Sequence, residues 1–210
     1  IPSVDSNAID TIEQFATVYE SESDRVAMRY WFWPNVSDGI MADQSVRQAV
    51  QLAVDRGRVV ENVFGGRGFP YSALPVAQEG SELYTPSAQA LGSDPDMEEA
   101  KRLIQEAGVE GERLHIVVPT QNATVAAMVD SVQQQLEELG FRIEREDVEH
   151  AAALDRLFAG NYDLYANGQS ASVGSIGLDT TLGFYSSGGS LNLNGVEDPE
   201  LAELASRAAQ

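Results

Sequence analysis

The sequence predicts an α/β fold, a mixed sheet flanked by helices, and three observations carry that prediction. A strand-like run at 114–118, a helical stretch at 124–139 and a second strand-like run at 141–148 follow one another in the order of a right-handed parallel βαβ unit. Apolar residues recur at spacings of three and four in several segments, the signature of helices with one buried stripe. Hydrophobic residues make up 43% of the 210, which is enough for a packed core.

Taken in order, Asp10 to Glu20 mixes β-branched and aromatic residues and reads as a strand. Arg25 to Trp33 reads as another, with Trp31 and Trp33 on one face and Tyr30 and Phe32 on the other, a strand buried on two sides. Pro34 ends it, because proline has no donor for the ladder. From Val46 to Phe64 the spacing of Val46, Ala49, Val50, Ala53, Val54, Val60, Val63 and Phe64 predicts one helix over about 44–64. Asp43 caps its start, and Gly65 and Gly66 supply the left-handed geometry that closes it.

Glycine and proline crowd the stretch from Gly65 to Ser93, which reads as a long irregular excursion with Tyr71 and Tyr84 as anchors. Asp94-Pro95 opens the next helix, with Met97, Ala100, Leu103, Ile104 and Ala107 inward and Gly108 as its stop. Leu114 to Val118 is a strand. Thr124 to Leu139 is the crossover helix, with Val125, Met128, Val129, Val132, Leu136 and Leu139 on one side, and Gly140 ends it. Phe141 to Val148 is a strand and Ala152 to Phe158 a helix. After a tight turn at Gly160-Asn161 comes a strand over Tyr162 to Ala166.

Charge excludes whole classes of partner. The 33 acidic residues against 13 basic ones leave a net charge of −20, a field that repels nucleic acid and anionic membranes. Twelve of the thirteen cations are arginine and Lys101 is the one lysine, a bias that fits a GC-rich genome or adaptation to salt. With no cysteine, disulfides, thiolate zinc sites and a cysteine nucleophile are all ruled out. No apolar run approaches the ~18 residues of a membrane span. The chain begins at Ile1 without methionine or a charged-then-apolar leader, and is expected to be a fragment of a longer protein.

Catalytic machinery is equally sparse. His115 and His150 stand on different predicted elements, and His115, alternating within a strand, reads as a satisfied or surface residue. Asp147, Glu149 and His150 lie close in sequence, but neighbours at a strand end diverge, so no metal site is expected. The serines lack a nucleophile elbow, and the glycine pairs lack the lysine of a phosphate loop. Glu98-Glu99 and Glu137-Glu138 project apart as solvated faces. No cofactor and no enzyme activity are expected; a hydrolase or lyase acting on a polar substrate is the rival, since an α/β sheet with polar strand ends also suits catalysis. A protein-interaction module is a third reading and requires a large exposed apolar patch.

Asn167, Gln169, Ser170 and Ser172 are neutral hydrogen-bonding groups at the carboxyl end of a strand.

The set Asp43, Val46-Arg47, Ala49, Asp55-Arg56, Val60, Gly66, Gly68 and Pro70 resembles the signature of the extracytoplasmic solute-binding proteins of peptide-type ABC importers, family 5. The run DPDMEEAKRLIQEAG is similar to that family's proline-initiated helix, Gln133 to Arg142 to its crossover, and Asn161-Tyr162-Asp163-Leu164 to its strand opening. Ser187, Gly188, Asn192, Gly195, Asp198, Pro199 and Glu200 match a later segment.

The resemblance implies that residues 1–210 form a single periplasmic-binding-protein-like lobe, the second, carboxy-terminal one of a two-lobed protein, with the other lobe absent. It implies a monomer, periplasmic or lipid-anchored at the outer face of the cell membrane, that captures a peptide or other small polar solute and delivers it to ABC permease membrane subunits. It also implies that His150 stands where relatives stack an aromatic over ligand, and that Asn35 matches a family asparagine. Gly168 is kept, but Gln169 replaces a tryptophan and Ser172 an aspartate that pairs with a peptide amine. The ligand-binding set that the resemblance implies is Asn35, His150, Asn167, Gln169, Ser170 and Ser172, and such a lining suits a neutral polar ligand, sugar-like or an uncharged peptide surface, better than an ion.

Overall fold

The computed structural model describes residues 9–15, 17, 26–68, 70, 94–172, 183, 192, 193 and 195–208. Its centre is a four-stranded sheet of β1 (Val26–Pro34), β2 (Arg113–Pro119), β3 (Arg142–Val148) and β4 (Leu164–Ser172), in the order β1-β4-β2-β3. β2 runs parallel to β3 and to β4, while β1 lies antiparallel to β4, from Val26 opposite Ser172 to Pro34 opposite Leu164. This is the mixed sheet that the sequence predicts. The central β2 is buried from Leu114 to Pro119, as a strand covered on both faces must be.

Seven α-helices are described: α1 (Ile9–Ile12), α2 (Gln44–Ala53), α3 (Arg56–Phe64), α4 (Met97–Ala107), α5 (Ala123–Leu139), α6 (His150–Ala159) and α7 (Pro199–Ala208). The two-residue period of the strands sorts their side chains between two cores. Leu114, Ile116, Val118, Leu164 and Ala166 meet Val46, Ala49, Ile104, Val129 and Leu136 from α2, α4 and α5. On the other face Val117, Tyr165 and Trp33 meet Ala153 and Leu157 from α6, with Tyr162. The aromatic run of β1 divides as its alternation requires, Tyr30 and Phe32 packing on the first core and Trp31 on the second.

Several elements differ from expectation. The helix expected over 44–64 is broken: α2 stops at Ala53, Val54 is extended at φ −83° and ψ 107°, and Asp55 starts α3 by accepting from the Arg58 backbone N at 2.9 Å. The cause lies on α5. Gln135 Oε1 accepts the Asp55 backbone N–H at 2.7 Å, giving that donor a partner outside the helix ladder. The Arg56 guanidinium donates to the Gln51 carbonyl at 3.0 Å, satisfying one of the carbonyls that the break frees. Gly65 closes α3 at φ 59°, as its position predicts.

At the next helix the cap is Asp96 rather than the Asp94-Pro95 pair. Its side chain accepts from Glu99 N at 3.0 Å and its own N–H donates to Leu52 O at 2.9 Å, so the proline stands outside the first turn. The strand expected over Asp10 to Glu20 gives way, in its described part, to a single helical turn at Ile9–Ile12 followed by a turn over 13–15. Glu13 N donates to Ile9 O at 2.9 Å, and among the described residues no strand pairs with this segment, so its β-propensity goes unused. Residues 16 and 18–20 lie outside the described residues, as does most of the excursion from Gly65 to Ser93, Tyr71 and Tyr84 included.

β4 runs six residues past the expected Ala166, because β1 supplies an antiparallel partner for Gly168 to Ser172, a stretch of low intrinsic β-propensity. Its start is spliced onto β2 by Asp163, whose N–H donates to His115 O at 3.0 Å and whose Oδ2 accepts from His115 N at 2.7 Å. Gly168 is required by packing. A Cβ there would stand 2.8 Å from Tyr30 Cδ1 and Cε1 and 2.9 Å from Val125 Cγ2.

Candidate functional site at the carboxyl edge of the sheet

Parallel strands leave their carboxyl ends together, and in open α/β sheets the crevice outside those ends is where ligands bind. Here β2 and β3 end side by side, Pro119 opposite Val148, and the Thr120 N–H extends the ladder by donating to Val148 O at 2.9 Å. Two residues beyond that row the same register brings Gln121 to His150, and the Gln121 Nε2 lies 2.7 Å from His150 Nδ1. Asn122 then caps α5 by accepting from Thr124 N at 3.0 Å and Val125 N at 3.3 Å, while His150 is the first residue of α6.

On β4, Asn167 follows two residues after Tyr165, which is opposite Val117 of β2, so Asn167 is level with Pro119 at the end of that strand. It shares the α6 face with Tyr165 and stands opposite Trp31 of β1. Its Oδ1 accepts from Gly168 N at 2.8 Å, which leaves the amide N–H groups to point elsewhere. Trp31 is half-buried and is held edge-on against Trp33, their rings 5.8 Å apart at 73°. Trp33 in turn stacks on Tyr165 at 6.2 Å, and Tyr165 meets Tyr162 at 6.0 Å and 70°. An aromatic ladder thus backs the site, and burial pushes the Tyr162 phenol up to about 12 and Tyr165 upward too.

The six candidate residues do not all converge. Gln169, Ser170 and Ser172 continue β4 opposite Arg29, Met28 and Val26, and only their backbones belong to the described structure. Asn35 sits at the opposite end of the sheet, its N–H donating to Asp163 O at 3.0 Å. From that level to Asn167 is four strand residues, about 13 Å, and to Ser172 nine, about 30 Å. Asn35 is only 6% exposed, and its amide is used internally, Nδ2 donating to Gly160 O at 2.9 Å and Oδ1 accepting from Ser37 N at 3.1 Å. It fixes the loop after β1 to the α6–β4 turn.

His115, expected to be satisfied or superficial, is satisfied: 6% exposed, with Nε2 3.0 Å from Glu146 Oε2. The Arg156 guanidinium first, and His115 second, hold the Glu146 carboxyl below its ordinary range. Among the described residues no group of three or more histidines and carboxylates is placed to hold a metal ion, and no helix is long and apolar enough to cross a membrane. Sequence reasoning did not single out Gln121. The signal available was its place two residues past a parallel strand whose neighbour ends two residues before His150.

A family model described as bacterial extracellular solute-binding proteins, family 5 Middle, matches residues 1–190. The chain belongs to family 5 of the bacterial extracellular solute-binding proteins. Over 144 residues it is 26% identical to a protein of Brucella ovis named as an ABC transporter peptide-binding protein, an alignment covering 67% of this chain and 26% of that one. The chain thus spans about a quarter of the length of the curated relatives it matches. Among solved family 5 folds, AgaA of A. tumefaciens R10, in complex with agropinic acid, is 19% identical with a TM-score of 0.75, covering 96% of this chain and 41% of that one. NikA of Brucella suis, crystallised with Fe(III)-EDTA, is 18% identical with a TM-score of 0.73, covering 99% and 43%. These likenesses establish the periplasmic-binding-protein-like fold.

Proposed function

We propose that this chain is the second, carboxy-terminal lobe of a solute-binding protein that captures a peptide or other small polar solute outside the cytoplasm and delivers it to an ABC permease. The observation that carries this reading is the family match over residues 1–190. The carboxyl edge supplies the wall: His150 and Asn167 with the half-buried Trp31 behind them, where the β4 backbone runs on through Gln169, Ser170 and Ser172. Asn35 serves this wall only indirectly, by fixing the far end of β4. Binding of this kind needs no reacting group. It needs polar walls and a closed state that the ligand contacts better than the open one.

The wall offers amides, an imidazole and an indole rather than a row of like charges, which favours a neutral polar ligand over an ion, because a buried charge demands a partner. A second lobe would close over this edge, with the protein acting as a monomer in the periplasm or anchored by lipid at the outer face of the membrane.

A thermal-shift screen of the complete, two-lobed protein against di- to pentapeptides, neutral oligosaccharides and opine-like compounds tests this reading. A ligand present at 100 times its Kd adds about 2.7 kcal/mol, a rise of several degrees that grows with concentration. The expected hit loses its shift in Asn167→Ala and His150→Ala. A hit that both variants bind as tightly as the parent would remove the carboxyl edge from the site.

A further inference from the structure

The contact between Gln121 and His150 has a direction. Nε2 of a glutamine amide can only donate, so the His150 Nδ1 that it meets at 2.7 Å must be the bare, accepting nitrogen. In a neutral imidazole the proton then sits on Nε2. We propose that Gln121 is a positioning residue that holds His150 in this Nε2–H tautomer, so that the carboxyl edge presents a fixed donor and selects ligands carrying an oxygen acceptor there, such as a carbonyl or hydroxyl.

The backbone on both sides makes this pair a built feature. The β2–β3 register carries through Thr120, whose N–H reaches Val148 O at 2.9 Å, and Asn122, the residue after Gln121, is fixed as the cap of α5. On the other side Ala153 N donates to Glu149 O at 2.9 Å, which fixes His150 in the first turn of α6. Both side chains are exposed, so the partner also decides which ring nitrogen water and ligand see. With Gln121 in place, Nε2–H is left for the ligand. Without it, the ring presents either nitrogen, and donor selectivity is lost.

The ligand consequence rests on the solute site proposed above, whereas the tautomer can be measured with no ligand at all. The experiment is long-range proton–nitrogen NMR on 15N-histidine-labelled protein at pH 8.5, above the ordinary imidazole range. The chain has two histidines, and His150→Asn assigns the signals. His150 should show a bare Nδ1 and a protonated Nε2. Gln121→Ala should move the tautomer ratio about fivefold toward that of free imidazole, the amount that one net hydrogen bond supplies. Gln121→Glu, an acceptor only, should invert it to Nδ1–H. The buried His115 serves as internal control and should not move. A parent His150 in the Nδ1–H form, which the reversed amide would require, overturns the proposal, and so does a ratio unchanged in Gln121→Ala or not inverted in Gln121→Glu. A screen without any solute hit would count against the solute site and leave the tautomer result standing.

Discussion

Gln135 Oε1 accepts the backbone N–H of Asp55 at 2.7 Å, so a side chain from the middle of α5 ends one helix and lets the next begin. Gln135 is only 4% exposed, and its Nε2 donates to Ser131 O at 3.0 Å, so both ends of the amide are occupied. Replacing it by methionine keeps the volume and leaves the Asp55 N–H without its acceptor. An unsatisfied buried donor costs about 1–3 kcal/mol. Urea unfolding of Gln135→Met should show a loss in that range with an unchanged m-value; a midpoint equal to the parent's would mean that water replaces the amide.

That bond also explains why the sequence reads correctly at one level and not at the next. Apolar spacing reports which face of a segment is buried, and Val46, Ala49, Ala53 and Val63 are all buried as expected. It carries no information about a bond made by a residue eighty positions away, so the break at Val54 was not legible. The same holds for the site. His150 follows the end of β3 and Asn167 lies inside β4, level with the last residue of β2, whereas Asn35 parts from them only because β1 runs antiparallel. Direction of pairing is a tertiary property. The motif residues that reveal the family mostly build the scaffold: Asp43 caps α2, Arg47 binds the carbonyls of Met41 and Ala42, Arg56 that of Gln51, and Asp163 splices β4 onto β2.

Gly168 tests the boundary between scaffold and site. Its missing side chain makes room for the Tyr30 ring and Val125, on the face away from His150. Gly168→Ala places a methyl inside van der Waals distance of both, and overpacking of this kind costs about 1–3 kcal/mol. The double variant with Val125→Ala should recover part of that loss. If Gly168→Ala leaves stability untouched and abolishes ligand binding instead, the glycine serves the ligand and not the core.

Acid should reach the fold through Glu146. Its carboxyl is held below the ordinary value of 4.5 by hydrogen bonds from Arg156 first and His115 second. A carboxyl depressed in the folded state contributes stability that is present above its unfolded value and is lost as pH falls through the folded one. The parent should therefore lose stability as pH drops below about 4.5, and Glu146→Gln should lose less over that window while starting lower at pH 7. Parallel pH profiles of the two proteins would assign the acid sensitivity elsewhere.

Salt should stabilise this protein, although it weakens the ion pairs on its surface. The described pairs of Arg102 with Glu99 and Glu106, Arg113 with Glu144, Arg145 with Asp130 and Asp147, and Arg156 with Glu146 are partly or largely exposed. Pairs of that kind are worth about 0–1 kcal/mol each. Against them stands a net charge of −20, whose self-repulsion every acidic residue shares and which unfolding relieves. Raising NaCl from 0.01 to 1 M shortens the screening length from about 30 to about 3 Å and removes most of that repulsion. With about 2–4 °C of Tm for each kcal/mol in a chain of this size, the melting temperature should climb by several degrees across the series. Most of the rise should come below about 0.3 M, where the screening length changes fastest, and sucrose of matched osmolality should not reproduce that early part. A melting temperature that falls as NaCl is added would mean that the arginine pairs outweigh the excess of carboxylates, and that the acidic surface is balanced locally despite its net charge.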